Sequence, residues 1–400
     1  MVITLNSNLK NFFEYLLIFL TIITCNTVYM NLIGSNLNKI LIIIYCINLI
    51  LLLFVSGIKR VTISRFFMFL VFYYIYLIIF ALFNNIGENL FEFVSYFVIL
   101  LPIIVLYFLN INFENIRTLC GKFKKIIIIL SFVSIIYYIC LNLGLINNFN
   151  YLSVQWSATQ NIKCVNGVYC LSQGINRNSF FFVEPAMYAL MLVLALAIEI
   201  IENKSILNKI ILSIAILTTN SVTGILIAIF CYSYYFYYNL KKSKLCIIIP
   251  FIMMFGLVLG IIIFQNKTAS MSYLIRKDDF QACFAAWKSK PFFGVGFMKT
   301  DPIKQYMSYF RLYNQGLSNS LFILAAQGGI YLIILYIIPT VYAIKEFMKK
   351  REFLIILTFI ILFTTTIFHF TILTFTFLAI CISMLLKKGI IKSTDNKEVV

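Results

Sequence analysis

Long apolar runs separated by short polar segments repeat along almost the whole chain. Several runs reach the roughly 18 to 20 residues that cross the hydrocarbon core of a bilayer as a helix. Single runs cover 12–33, 41–55, 66–83, 93–109, 126–146, 180–201, 246–264 and 321–343. Two blocks, 210–238 and 353–386, are long for one crossing and short for two, so each is predicted to be a tight helical hairpin.

Basic residues between the apolar runs predict how the helices are oriented. Cytoplasmic loops of membrane proteins collect Lys and Arg. Six clusters fit this rule, at 59–65, 117–125, 204–209, 241–244, 345–351 and 387–397. An even number of crossings must separate neighbouring clusters. We therefore predict an all-α polytopic integral membrane protein, residues 1–400 forming a single membrane domain of about twelve transmembrane helices with both termini cytoplasmic.

Two long segments are predicted on the extracytoplasmic side, 147–178 and 265–317. The second carries eight basic and three acidic residues, against the usual bias. Either long loops translocate regardless of charge, or this loop is a docking surface for an anionic substrate. Its part 272–291 predicts an amphipathic helix suited to a membrane surface, and the Gly-Val-Gly that follows is interpreted as a flexible turn.

Composition favours a membrane protein over a soluble, nucleic-acid-binding or zinc-binding protein. The chain is 62% hydrophobic and 12% charged, with a net charge of +18, whereas soluble domains have about 25% charged residues. The positive charge lies mostly in loops, which favours lipid headgroups over nucleic acid. The ten Cys and one His show no zinc spacing, so no metal site is expected. Cys164 and Cys170 share the first long loop, either as a disulfide or as two free thiols.

The stretch "NRNSFFFVEPAMYAL", residues 176–190, places charge and a helix breaker inside an apolar run. Proline favours the first turn of a helix and disfavours helical geometry in the residue before it. The helix is therefore predicted to begin near Pro185, with irregular chain lining a cavity before it. Glu184 either pairs with Arg177 or caps the helix, or it orients a catalytic arginine or accepts a substrate proton.

The stretch "LTTNSVTG", residues 217–224, lies at the turn of the first hairpin. Its hydroxyls, Ser221 and Thr223 among them, have two interpretations. They form interhelical hydrogen bonds, worth roughly 1 kcal/mol each in a bilayer, or they bind sugar hydroxyls.

Four motifs in this order carry a family resemblance: Arg177 with "FFFVEP", Ser221 with Thr223 and Gly224, Arg276 through "KSKPFFGVGF", and "SNSLFILAAQGGI". The set resembles the O-antigen polymerase and ligase superfamily of bacterial envelope glycan assembly. The resemblance covers about 176–331 in motifs and the twelve-span layout in architecture.

The resemblance implies a metal-independent membrane glycosyltransferase without a cofactor. It would act on polyprenyl-diphosphate-linked oligosaccharides at the outer face of the bacterial inner membrane, building O-antigen of lipopolysaccharide or capsule polysaccharide. Expected partners are the lipid-linked donor and acceptor, membrane lipids and a chain-length regulator. The family's essential arginines lie in outer loops, which matches Arg177 and Arg276.

Arginine suits a diphosphate because its planar fork binds phosphate oxygens bidentately. Arg177 and Arg276 are expected to hold the donor diphosphate, with Arg311 assisting or positioning the acceptor. Glu184 is the first candidate for the base, with Asp278 and Asp279 behind it. Substrate-binding candidates are Ser221, Thr223, Lys277, Lys288 and Asn319.

The sequence departs from the family pattern at two places, and two other functions are compatible with it. Val222 replaces an often basic position, and Ser318-Asn319-Ser320 stands where ligases typically carry His-Asn-Ser, which favours a polymerase. The alternatives are a ligase of the same superfamily and a lipid-linked oligosaccharide flippase or other transporter. A flippase would be expected to carry more charges within its helices and shorter loops.

Overall fold

The protein is mostly helical. The computed structural model describes residues 2–32, 35–145, 151–157, 160–171, 174, 176–240, 271–311, 316–348 and 350–395. The first seven helices are α1 (Val2–Ile23), α2 (Val28–Leu32), α3 (Ser35–Ser56), α4 (Arg60–Phe83), α5 (Leu90–Phe93), α6 (Leu101–Asn110) and α7 (Phe113–Asn142). The next eight are α8 (Pro185–Glu202), α9 (Ile206–Thr218), α10 (Val222–Leu240), α11 (Met271–Ser289), α12 (Asp301–Lys304), α13 (Ser320–Phe347), α14 (Phe353–Thr365) and α15 (Ile372–Asp395).

Six helical segments among the described residues are long and apolar enough to cross a membrane, and three shorter apolar helices accompany them. One of the six, 87–110, continues from α5 to α6 through a π-helix at Val94–Leu100. The two predicted hairpins are present as α9–α10 and α14–α15. The span predicted at 246–264 and the start of the loop at 265–270 lie outside the described residues, so the count of twelve stays a prediction.

A small β-sheet corrects the all-α prediction. Within 147–178, β1 (Tyr151–Ser157), β2 (Gln160–Val165) and β3 (Tyr169–Cys170) form an antiparallel sheet in the order β1-β2-β3. Three residues, 166–168, separate β2 from β3. Asn166 and Gly167 have φ of 49° and 69°, and the amide of Val168 closes the turn by donating to Val165 O at 3.0 Å. This turn places Cys164 opposite Cys170, and a disulfide joins them.

The helices α7 and α8 connect two chemically different ends of the bundle. Tyr138, near the end of α7, donates a 3.5 Å hydrogen bond to the carbonyl of Asn176. About 27 Å away at 1.5 Å per residue, α8 ends at Glu202, which pairs with Lys124 near the start of α7. We call the end with Cys164–Cys170 and Arg177 the disulfide end, and the end with Lys124 the basic end.

The Gly-Val-Gly segment is fixed in a break of α13 and is not a freely flexible turn. The helical path of α13 is interrupted at Gly329, where φ is 65° and ψ is −170°. The amide of Val295 donates to Ala326 O at 2.8 Å, and the amide of Tyr331 donates to Phe292 O at 3.0 Å. The segment thus satisfies backbone groups that the break frees, as irregular backbone within a bundle requires.

The contact between the Gly-Val-Gly segment and the break of α13, called the joint below, also involves Asn84 in the loop after α4. The side-chain nitrogen of Asn84 donates to Gln327 O at 2.9 Å and to Phe293 O, and its oxygen accepts from the amide of Phe297 at 2.8 Å. Asn89 donates to Phe297 O at 2.8 Å. The loop after α4 is therefore joined to both the Gly-Val-Gly segment and α13.

Gly294→Ala should destabilise this joint strongly. Gly294 has φ of 75°, and an added Cβ would lie 2.4 Å from the backbone carbon of Gln327. The matched control is Gly57→Ala, because Gly57 has φ of 67° and an added Cβ there would meet nothing within 4 Å. Backbone strain alone costs roughly 1–2 kcal/mol, and overpacking adds about 1–3 kcal/mol. Thermal unfolding in detergent should show the larger loss for Gly294→Ala; equal losses would contradict the joint.

Candidate functional site

The chain enters α8 through irregular backbone at the disulfide end. The amide of Val28 donates to Phe181 O at 2.9 Å, and the amide of Val183 donates to Asn26 O at 3.1 Å. The amide of Cys170 donates to Phe180 O at 2.6 Å, which joins the sheet to the same segment. The helix then begins at Pro185, which confirms the predicted start and the irregular entry before it.

Arg177 is anchored on the turn between α9 and α10. Its Nε donates to Thr219 O at 3.3 Å and its Nη2 donates to Asn220 O at 3.1 Å. Next to it, the buried Asn178 donates to Ser134 Oγ at 3.2 Å and to Thr218 Oγ1 at 3.0 Å. The structure therefore brings together the two stretches that the sequence singled out separately, 176–190 and 217–224.

The charges of two arginines from distant parts of the chain act on the carboxyl of Glu184. Glu184 is the N-cap residue of α8, where its carbonyl accepts from the amide of Met187 at 3.0 Å. Burial raises the pKa of its carboxyl, while the charge of Arg276 and, less strongly, that of Arg177 lower it. The stronger charge partner of Glu184 is thus Arg276, where the sequence had indicated Arg177.

The charge of Arg276 affects the pKa of Arg177. Burial lowers the pKa of Arg177; the charge of Glu184 raises it and that of Arg276 lowers it further. Burial also lowers the pKa of Arg276, against the charges of Glu184 and Asp279. Both remain cationic, because a guanidinium group is not deprotonated in proteins. Arg276 donates from Nη1 to Thr365 O at 3.4 Å, at the turn between α14 and α15.

Arg311 is buried in a different place, within the predicted long loop 265–317, whose described part we call the loop fold. Its side chain is only 1% exposed, and its Nη1 lies 2.7 Å from Asp279 and 3.3 Å from Asp278. It also donates to Ile275 O at 3.0 Å and to Gly316 O at 2.7 Å. Arg311 therefore pairs with two aspartates of α11, the helix that carries Arg276.

This ion pair decides which face of α11 is buried. Packed against α13 are Asp278, Asp279, Ala282, Cys283 and Ala286. Phe280 and Phe284, which the sequence assigned to an apolar stripe, are 39% and 49% exposed. The helix itself is present as predicted, and its exposed Phe280 and Phe284 are compatible with a membrane surface, while Asp278 and Asp279 share its buried face with small apolar residues.

The predicted substrate-binding residues fall into two groups. Ser221 accepts from the amide of Gly224 at 3.4 Å, and Asn319 caps α13 by accepting from the amide of Phe322 at 3.1 Å; both are buried. Thr223 is part-buried in the first turn of α10, and Lys277 and Lys288 are exposed on α11. Ser221 and Asn319 thus hold helix ends, while the lysines face outward.

Sequence reasoning missed Asn26, and it named Ser318 only as a departure from a motif. Asn26 has φ of 53° and donates to Ile367 O at 3.0 Å, which joins the turn after α1 to the turn before α15. Ser318, at the position where ligases carry His, donates from Oγ to Asp279 Oδ2 at 2.5 Å. Within the described ranges no group of three or more His, Cys, Asp or Glu side chains is placed to hold a metal ion.

Arg311→Gln should destabilise the loop fold, because it leaves Asp278 and Asp279 buried without their cation. Breaking a buried ion pair by removing one partner costs about 3–5 kcal/mol. The control is Lys304→Gln, since Lys304 pairs with Asp301, whose side chain is 90% exposed. Thermal unfolding of the two purified variants should show a large loss for Arg311→Gln and little change for Lys304→Gln. Equal stability would contradict a structural role for Arg311.

One comparison with known proteins finds a match, which covers part of the chain. A comparison with curated proteins finds no match for the chain. A family model described as O-antigen ligase matches residues 207–337, which include Ser221, Arg276 and Asn319, while Arg177 and Glu184 precede the match. Over these residues the chain is similar to the O-antigen ligase family, and its apolar helices indicate a multi-pass membrane protein.

Proposed function

We propose that the protein is a polysaccharide polymerase that joins polyprenyl-diphosphate-linked oligosaccharide repeat units at the outer face of the bacterial inner membrane. The observation that carries the proposal is that Arg177 and Arg276, each bonded to backbone carbonyls of a helix turn, both act by their charge on the carboxyl of Glu184. Two guanidinium groups around one carboxylate leave one positive charge in excess in a part-buried place. Such a place favours a multiply charged anion.

The excess charge fits the leaving group of the reaction. As the bond between the anomeric carbon and the phosphate oxygen breaks, negative charge develops on the polyprenyl diphosphate. Preorganised cations in a water-poor site stabilise such charge, and this is usually the largest catalytic effect. Arg177 and Arg276 are each fixed by backbone carbonyls, so they are oriented before the substrate arrives.

Glu184 supplies the proton acceptor in this scheme. The acceptor hydroxyl oxygen forms the new bond to the anomeric carbon, and its proton passes to the Glu184 carboxylate. Burial raises the pKa of this carboxyl, and a base is more effective when its pKa approaches the working pH. Pro185 also starts α8 here, and the positive end of the helix dipole adds to the attraction for an anion.

The remaining candidates take supporting roles. Lys277 and Lys288 are exposed on α11, where they would attract the anionic donor or acceptor by charge. Arg311, held by Asp278 and Asp279, would position the helix that presents Arg276. Ser221 and Asn319 would fix the turns that carry the site, and Thr223 lies on the same turn as Ser221.

Two features support an extracytoplasmic position for the site. The Cys164–Cys170 disulfide lies at the same end as Arg177, and disulfides persist in oxidising compartments. The opposite end carries the Lys and Arg clusters of 117–125 and 345–351, as cytoplasmic faces of inner-membrane proteins do.

Arg276→Ala and Arg177→Ala should each reduce long-chain glycan by at least about 100-fold, the usual effect of removing one preorganised charge stabiliser. The control is Lys163→Ala, which removes an exposed cation from β2 at the same end. The measurement is the length distribution of glycan in a deletion strain that expresses each variant. Immunoblots of the membrane fraction must show equal amounts of protein.

Arg276→Lys separates charge from geometry. Lysine keeps the positive charge but lacks the bidentate fork, so chain formation should be partly restored relative to Arg276→Ala. Normal chain length in Arg276→Ala, with normal protein levels, would contradict the assignment of the diphosphate clamp.

The glycan that accumulates in a deletion strain separates polymerase from ligase and flippase. Ser318 bonds Asp279 where ligases carry a histidine, which favours the polymerase. Loss of a polymerase leaves a single repeat unit on the final acceptor. Loss of a ligase leaves polymer on the polyprenyl carrier, and loss of a flippase leaves no repeat unit on the outer face; either result would contradict the polymerase.

A further inference from the structure

A large cavity opens at the basic end, far from the proposed active site. Its volume is about 1070 Å³, and it lies among α1, α7, α8, α13, α14 and α15. Ligand sites in proteins usually measure about 300–1,000 Å³. The cavity is therefore large enough for a ligand of lipid-headgroup size together with part of an apolar chain.

Part of the charge around the cavity is neutralised within the protein. Seven basic side chains line it. Lys124 lies 2.7 Å from Glu199 and 2.7 Å from Glu202, and the latter also pairs with Lys204 at 3.2 Å. Two further pairs are Lys122 with Glu14 and Arg117 with Glu352. Four of the basic residues are thus matched by four carboxylates.

Three basic residues remain in excess: Lys125, Lys350 and Arg351. In the part of the chain that the structure describes, no carboxylate lies within ion-pair distance of any of them. All three are exposed at the rim. The guanidinium of Arg351 lies 4.4 Å from the ring centre of Tyr238, and Lys350 Nζ lies 5.3 Å from that of Phe347. Aromatic rings therefore hold two of the cations against the cavity wall.

The wall beyond the rim is apolar. Ile198, Phe347, Ile356, Phe377, Ile380 and Met384 contribute to it. A small hydrophilic anion would use the cationic rim and leave this surface unused. A molecule with a phosphate headgroup and a hydrocarbon chain matches both parts.

We propose that this cavity binds an anionic phospholipid from the leaflet at the basic end. The headgroup phosphate lies among Lys125, Lys350 and Arg351, and the upper part of one acyl chain lies along the apolar wall. Basic residues at the membrane surface attract anionic lipids individually, and a cavity adds selectivity because it excludes water around the phosphate. A bound lipid would bridge α7 to the segment between α13 and α14. This site does not depend on the proposed glycan chemistry.

The test measures lipid affinity in the purified full-length protein. Delipidated protein in neutral detergent is titrated with phosphatidylglycerol, and native mass spectrometry counts the bound molecules. The triple variant Lys125→Gln, Lys350→Gln, Arg351→Gln should bind the first molecule at least ten-fold more weakly. The matched control is Lys59→Gln, Arg60→Gln, Arg65→Gln, which removes three basic residues at the start of α4 that do not line the cavity; its affinity should change less than two-fold.

Two further arms identify the ligand. Phosphatidylcholine should bind at least ten-fold more weakly than phosphatidylglycerol, and excess glycerol phosphate should not displace the lipid. Equal weakening in both triple variants, equal binding of phosphatidylcholine, or displacement by glycerol phosphate would each overturn the proposal. If the triple variant does not fold, Lys125→Gln and Lys350→Gln are measured singly, each with an expected loss of about three-fold; no loss in either would overturn it as well.

Discussion

A carboxylate near the membrane surface, within a mostly apolar bundle, requires compensating charge, and Glu184 receives it from Arg177 and Arg276. Burial of an unpaired charge is costly, so this carboxylate and its arginines constrain one another. The three residues arise from an irregular entry segment, a helix N-cap and a loop helix. The arrangement of the disulfide end therefore determines whether they meet, and the proposed diphosphate site rests on their excess positive charge.

The surrounding structure serves mainly to fix these three elements. The turn between α9 and α10 holds Arg177 through two carbonyls. The pair formed by Arg311 with Asp278 and Asp279 holds α11, and thereby Arg276, in place. The Gly-Val-Gly segment lies in the break of α13 at Gly329, so the loop and the helix cannot move independently. Rigid positioning of this kind is what electrostatic stabilisation of a leaving group requires.

The sequence predicted the helical hairpins and the start of α8 because span length and proline geometry are local properties. It also indicated Arg177, Glu184 and Arg276, since charges are rare in such a composition. It did not predict that Arg311 pairs with aspartates 32 and 33 residues away, because no periodicity carries that information. The sheet was missed although Asn166-Gly167 between alternating residues is a strong hairpin signal; the prevailing apolar pattern had favoured helices alone.

The account depends on the side of the membrane that Arg276 faces, and cysteine accessibility in intact cells tests it directly. The native cysteines other than Cys164 and Cys170 are first replaced. A single cysteine is then introduced in place of the exposed Lys277, and intact cells are treated with a membrane-impermeant maleimide. A cysteine introduced for Lys125 serves as the reference for the opposite end. The account predicts labelling of residue 277 in intact cells and labelling of residue 125 only after permeabilisation; the reverse pattern would contradict it.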